Sequence, residues 1–303
     1  MTCFHPLDAF QTEDGEIVFH ERGKIRRELE LPCGRCVGCR IARARAWAIR
    51  CVHEAQCHEN SIFVTLTYDD DHYPGPSLGS VKDGGPARDL QLFIKRLRRR
   101  KGAVRFFACG EYGEEYLRPH FHVILFGVTF EDRKPYDATL FVSAELDKIW
   151  GFGSAKFGAV TMQSAGYTAR YSIDKVNGDL AEDHYKRVNL STGEIVDVTP
   201  EFGRMSLKPG IGFPWFARYW RDVYAARDGV VISGRVVPTP VYYDRYMAAL
   251  CSVGFGATLF NDKEYDRYIN SEVFASDCTP ERLAVREEVV LAGLDFHTTR
   301  NLS

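Results

Sequence analysis

Two apolar segments separated by a short polar loop constrain the fold of this chain more than any other feature. Val104-Arg-Phe-Phe-Ala-Cys-Gly-Glu-Tyr112 and His120-Phe-His-Val-Ile-Leu-Phe-Gly127 are rich in aromatic and β-branched residues, and Gly113 to Pro119 lies between them. Such a pair closes as a β-hairpin. Side chains alternate faces along a strand, so His120 and His122 project to one side, Phe121 and Val123 to the other. Two adjacent imidazoles fill a core poorly, and each needs a partner if buried. Satisfied core or surface histidines are one reading; a shared metal ion satisfies both rings at once. Glu111, near the end of the partner strand, falls close to His120, and two imidazoles with one carboxylate suit Mn²⁺ or Mg²⁺.

The neighbouring segments supply a frame for this hairpin. Ile62 to Tyr68 is β-branched and aromatic and closes on the acidic turn Asp69 to Pro74, as a strand followed by a loop does. Residues 73–86 read as a surface connection. Leu90, Phe93, Ile94 and Leu97 recur at helical spacing within Arg88 to Lys101. From Ser164, a plausible cap, to Val176, a second helix carries Ala165, Ala169, Ile173 and Val176 on one stripe. Tyr167, Tyr171 and Lys175 form another row at about 200° to it, which keeps both phenols off the packing face. Later, Ile211 to Tyr224 reads as an aromatic helix and Gly229 to Val241 as a hairpin; these rings suit core packing, or stacking on unpaired bases.

A net charge of -2 over 303 residues conceals basic blocks. One runs from Arg22 to Arg50, the other from Lys95 to Lys101. Arg40, Arg43, Trp47 and Arg50 fall along one face of an alanine- and arginine-rich helix, and with Arg98, Arg99 and Arg100 they are candidate DNA contacts. Solvated arginines beside a core tryptophan are the alternative. Cysteines number nine, and Cys33-Gly-Arg-Cys36-Val-Gly-Cys39 is too tight for ordinary disulfides. It reads as a structural Zn²⁺ site needing a fourth ligand, Cys3 first and His5 second; free thiols or an iron-sulfur cluster are the competing readings. No segment is long and apolar enough to span a bilayer, and no phosphate-loop motif occurs, so we expect a protein of the cytosol without a helicase of its own.

Taken in order, Phe63-Val-Thr-Leu-Thr-Tyr68, the His120-Phe-His122 pair and Tyr167-Thr-Ala-Arg-Tyr171 resemble the motifs of HUH endonucleases, in their replication-initiator branch. Cys3-Phe-His-Pro, the Cys33 to Arg40 cluster, His53-Glu54-Ala55 and Pro209-Gly-Ile-Gly212 make the chain similar to the initiators of small single-stranded-DNA phages, the microviruses of gokushovirus type. This likeness runs to about Met247. It implies an α+β fold whose central antiparallel sheet, ferredoxin- or RRM-like, is flanked by helices and preceded by a zinc-binding segment. The expected division is residues 1–58 for that segment, 59–180 for the endonuclease core and 181–303 for a helical and hairpin extension.

The resemblance further implies a rolling-circle initiator, a nickase and ligase that works through a 5′-phosphotyrosyl intermediate. His120 and His122 then hold the catalytic metal, with Glu111 added by its place on the hairpin, Tyr167 and Tyr171 are paired nucleophiles, and Lys175 assists. The family's lysine three residues after a catalytic tyrosine is replaced: Arg170 follows Tyr167 and Asp174 follows Tyr171 at that spacing. Single-stranded or supercoiled phage origin DNA is the expected substrate, host helicase and polymerase the partners, and the bacterial cytoplasm the location, with no membrane. A relaxase or transposase would share this chemistry. A non-catalytic RRM-like nucleic-acid-binding protein with a structural zinc, and a metal-dependent hydrolase that forms no covalent adduct, are the alternatives from other classes.

Overall fold

A computed structural model of the chain describes residues 3–75, 77, 84–113, 117–169, 181–188, 193–224, 229–252, 254, 267 and 275–300. The chain forms two compact units, residues 1–43 with 254–303, and residues 44–253. Those limits differ from the 1–58, 59–180 and 181–303 division, because partners distant in sequence complete each unit.

The first unit opens with β1 (Leu7–Thr12), β2 (Ile17–Val18) and β3 (Ile25–Leu31), an antiparallel sheet in the order β2-β1-β3. The cysteine turn follows and leads into α1 (Val37–Ala55), within which the unit boundary falls.

In the second unit β4 (Ser61–Tyr68), α2 (Pro86–Lys101), β5 (Arg105–Tyr112) and β6 (Pro119–Phe126) come first. Next are β7 (Lys134–Pro135), β8 (Phe141–Val142), α3 (Ala144–Trp150), β9 (Gly153–Ala159) and α4 (Met162–Ala169). Then come α5 (Ala181–His184), β10 (Lys186–Val188), β11 (Ile195–Asp197) and β12 (Phe202–Met205). The unit ends with α6 (Phe213–Asp222), β13 (Val230–Ile232), β14 (Arg235–Val237) and α7 (Val241–Ser252). The chain finally returns to the first unit as α8 (Pro280–Arg300).

One sheet of seven strands dominates the second unit, in the order β12-β5-β6-β4-β9-β8-β7 with every pairing antiparallel. Its centre, β4-α2-β5-β6-α3-β9 in spatial order β5-β6-β4-β9, is the ferredoxin-like βαββαβ arrangement that the family resemblance implies. Strand β12 adds at one edge and the β7–β8 hairpin at the other. Alternation along the strands sorts the two faces. Val64, Leu66, Phe121, Val123 and Leu125 pack with Leu90, Phe93 and Leu97 of α2 and Trp150 of α3. Phe107, Ile124 and Phe126 on the reverse face pack with Ala44 and Ala48 of α1, Ala165 and Ala169 of α4, and Ile211. Alanines let these two helices lie close to the sheet, so the face that bears the histidines is closed only along part of its length.

The His53-Glu54 and Pro209-Gly-Ile-Gly212 motifs meet in space. Glu54, fully buried, accepts from Arg105 Nε at 2.5 Å and from the Gly212 amide at 2.7 Å. Arg105 donates also to the Pro209 carbonyl. The His53 ring stacks on Trp215 at 3.6 Å and its Nδ1 lies 3.0 Å from the Tyr243 hydroxyl. Gly212 sits at φ +83°, and a Cβ there would come within 2.6 Å of that hydroxyl, so only glycine fits. The C-terminal half of α1 is thereby bound to α6 and α7, and the aromatic residues Trp215 and Phe216 serve packing rather than base stacking.

No helix among the described residues is long and apolar enough to cross a membrane.

Candidate metal and nucleophile site

Register places the candidate metal ligands as side-chain neighbours. Glu111 on β5 is paired with His120 on β6, and His122 is flanked by Cys109 on β5 and Thr65 on β4. The two imidazoles have centroids 4.9 Å apart at 81°, and Glu111 Oε2 approaches His122 Nε2 to 3.8 Å. One ligand atom from each of Glu111, His120 and His122 can be chosen so that all lie within 4.8 Å of one another. Thr65 Oγ1 lies 3.1 Å from His122 Nδ1, whereas His122 Nε2 is buried and has no hydrogen-bond partner among the described residues. Burial, and after it the charge of a protonated His120, push the His122 imidazole down to about 3; burial lowers His120 too. Both rings are therefore neutral near pH 7, the state in which imidazole binds a metal. The orphaned nitrogen, the carboxylate beside it and the neutral rings fit a divalent ion.

Helix α4 delivers Tyr167 to this cluster. Its N-terminus is fixed by a reciprocal cap, in which the Ser164 amide donates to Thr161 Oγ1 at 3.1 Å and the Thr161 amide to Ser164 Oγ at 2.8 Å. The cap residue is thus Thr161 rather than Ser164, and the helix begins at Met162, three residues before the apolar stripe does. With Ala165 and Ala169 buried, Tyr167 is 44% exposed and its ring meets the His122 ring edge-on at 4.7 Å. Phe63 supports both, stacked on His122 at 5.6 Å and edge-on to Tyr167 at 6.4 Å. Tyr171 and Lys175, with Arg170, lie outside the described residues.

Thr65, Phe63 and Cys109, whose Sγ donates to Glu111 Oε1 at 3.0 Å, were not singled out from the sequence. The available signal was register: Phe63 and Thr65 alternate with Val64 and Leu66 and so share the face of the histidines.

The candidate DNA contacts are dispersed. Arg50 is a correction. Only 8% exposed, it lies between the rings of Trp47 and Tyr242 at 3.9 and 3.6 Å and donates to the Ile211 carbonyl, so its guanidinium is committed to the protein interior. Trp47 packs on Phe107. Arg43 is exposed but donates to the Gly34 carbonyl, and Arg40 is half-buried. Arg98, Arg99 and Arg100 are exposed on α2, on the far side of the sheet from the histidines; Arg98 donates to the Val104 carbonyl and Arg100 to Glu145.

In the first unit the sulfurs of Cys3, Cys33, Cys36 and Cys39 converge to within 4.8 Å. Cys33 and Cys39 are 4.0 Å apart and Cys36 and Cys3 3.9 Å, close to the ~3.8 Å edge of a tetrahedron with ~2.3 Å metal–sulfur bonds. Amides aim at the sulfurs: Cys33 N to Cys3, Cys36 N to Cys33, Phe4 N to Cys36 and Cys39 N to Cys36, at 3.2–3.5 Å. Burial pushes the Cys36 thiol up, but the amides of Phe4 and Cys39 together with hydrogen bonds from the Cys39 and Cys33 thiols bring it down to about 7. Four sulfurs with amide donors suit one tetrahedral ion. Cys3 is the fourth sulfur; His5 is instead exposed and paired with Glu287 at 2.6 Å.

The family of replication-associated proteins of the ORF2 type matches residues 61–176, from β4 past α4. The replication-associated protein VP4 of Bdellovibrio phage phiMH2K is 32% identical over 260 residues, which cover 80% of this chain and 76% of the relative. The chain belongs to the replication-associated proteins of small single-stranded-DNA phages. Replication-associated protein ORF2 of Spiroplasma virus 4 is 31% identical over 274 residues, 82% of this chain and 80% of that one. ORF4 of Chlamydia phage 1, also replication-associated, is 31% identical over 80% of this chain and 57% of its own length. The family match starts at the first strand of the sheet and takes in Glu111, both histidines and Tyr167. No solved structure matches the chain.

Proposed function

We propose that this protein initiates rolling-circle replication of a phage genome by cutting one strand at the origin and later rejoining it, with tyrosine as the nucleophile. The observation that carries this reading is the edge-on contact of Tyr167 with His122, whose Nε2 is buried without a partner beside Glu111. The relatives' role in replication supports single-stranded or supercoiled origin DNA as the substrate.

An Mn²⁺ or Mg²⁺ ion held by Glu111, His120 and His122 would, when bound, polarise a non-bridging oxygen of the scissile phosphate. Tyr167 Oη loses its proton and attacks phosphorus in line. The P–O3′ bond breaks as P–Oη forms, which leaves a free 3′-OH on one DNA end and a 5′-phosphotyrosyl linkage on the other. One phosphodiester replaces another, so reversal by the 3′-OH needs no nucleotide. A phenol of ordinary pKa about 10 ionises more readily beside cations, the role assigned to Lys175 or Arg170. Tyr171, four residues on in the sequence, is assigned the second attack, on the regenerated origin. The 3′-OH is a primer for host polymerase, with unwinding left to a host helicase in the bacterial cytoplasm. The four cysteines are assigned to a structural Zn²⁺.

The test is an incubation of the full chain with 3′-end-labelled single-stranded origin DNA and Mn²⁺, followed by denaturing electrophoresis. Label travelling with the protein is expected, lost on chelation and in the Tyr167→Phe/Tyr171→Phe double variant. Cleavage without adduct would replace this reading by metal-dependent hydrolysis, and binding without cleavage by a passive nucleic-acid-binding protein.

A further inference from the structure

At the β12 edge of the seven-stranded sheet, a groove of about 850 Å³ runs between α2, the turn at Gly102 and the loop after β12. Its walls are mostly aliphatic: Leu90 and Ile94 of α2, Val104, Met205 and, at the rim, Leu207, which is 72% exposed. Lys95, Arg98, Arg204 and Lys208 also line it, and no described lining residue is acidic. Arg105 reaches it too, but its guanidinium is taken by Glu54 and the Pro209 carbonyl.

We infer that this groove docks an acidic peptide segment of another protein, with one or two large apolar side chains seated against the aliphatic wall and carboxylates on the surrounding cations. Charge complementarity selects the occupant: four cations without a lining acid repel basic partners and attract carboxylates or phosphates. The wall then separates those two. Unpaired nucleic acid is held by bases stacked on open aromatic faces. The aromatic ring here, Phe106, is half-buried in the core with the Arg98 guanidinium 5.5 Å above it, so bases have no platform. Aliphatic side chains instead receive a leucine or phenylalanine anchor, the usual centre of a peptide-binding patch. The groove lies at the Arg105 end of β5 and the candidate cutting site at its Glu111 end, so occupancy of one leaves the other open.

Fluorescence anisotropy of the full chain tests this with three labelled probes: a short peptide of glutamate and aspartate around a leucine-phenylalanine pair, its lysine counterpart, and oligothymidylate. The expected result is saturable binding of the acidic peptide alone at this groove. That binding should weaken about tenfold or more in Lys95→Glu/Lys208→Glu and in Leu207→Asp, with the unfolding midpoint and the DNA adduct yield unchanged. These side chains are exposed, so the variants retain the fold. Absence of saturable acidic-peptide binding, or binding indifferent to both variants, overturns the inference. So does oligothymidylate binding that is lost in the same variants, which would make the groove a nucleic-acid track.

Discussion

At His122 one ring nitrogen is engaged and the other is not. Thr65 Oγ1 can accept from Nδ1, and the tautomer with hydrogen there leaves the Nε2 lone pair on the side of Glu111. In that tautomer Thr65 would act as a positioning residue. Replacing it by valine keeps the shape and removes the oxygen; Mn²⁺ affinity should fall about tenfold while Thr65→Ser restores it, as read by electron paramagnetic resonance of free Mn²⁺. Equal affinity in Thr65→Val and the wild type would show that the contact orients nothing. Tyr167→Phe should leave Mn²⁺ affinity intact, because the phenol stands over the ligands rather than among them, and should remove the adduct formed at that residue. The histidines, Glu111 and Tyr167 were legible in the sequence because strand alternation and helical spacing are local rules. Arg50 was not: its helix face was readable, but the rings that enclose it include Tyr242, far along the chain.

Between elements, the junction of α1 with α6 and α7 combines a buried carboxylate, a stacked imidazole and a glycine that tolerates no side chain. Its motifs stood out in the sequence, yet what they do could not be read there, since Glu54 and Gly212 are 158 positions apart. Removing the carboxylate charge by Glu54→Gln deprives Arg105 of its counter-ion and should cost about 3 kcal/mol in denaturant unfolding. Gly212→Ala forces a Cβ towards the Tyr243 hydroxyl at positive φ and should cost about 2 kcal/mol with DNA chemistry retained. His53 makes the same junction sensitive to acid. Burial pushes its imidazole down from 6.5 to about 3, so between those pH values the unfolded chain binds a proton that the folded chain refuses. The stability contributed is complete above pH 6.5 and is lost as pH falls towards 3. A His53→Phe variant should accordingly show a shallower decline of the urea midpoint between pH 6.5 and 4 than the wild type. Parallel declines would assign the acid sensitivity to other groups.

For the whole molecule, the strands and helices of the sheet could be read from local patterns and their ferredoxin-like order was implied by the family resemblance, whereas the closing of the first unit by its last helix was announced by neither. Leu283, Val290 and Leu294 of α8 pack with Phe4, Val37 and Ile41 around the cysteines, a meeting of chain ends that no local period announces. That cluster is small, and beyond it the first unit has a sheet of three short strands, so little apolar area is available to hold it. A tetrahedral ion on Cys3, Cys33, Cys36 and Cys39 would tie β3, the start of α1 and the N-terminal segment at one point and add binding free energy directly to folding. The purified chain should therefore carry one zinc per molecule by atomic absorption. A strong chelator should release it, make four thiols newly reactive and raise amide exchange in β1, β3 and α8, while the strands of the seven-stranded sheet keep their protection. Cys39→Ser should reproduce this without chelator. If chelation frees no zinc and exchange in β1 and β3 is unchanged, the four sulfurs converge for packing alone, and the hydrogen bonds from the amides of Phe4, Cys33, Cys36 and Cys39 must suffice to hold the turn.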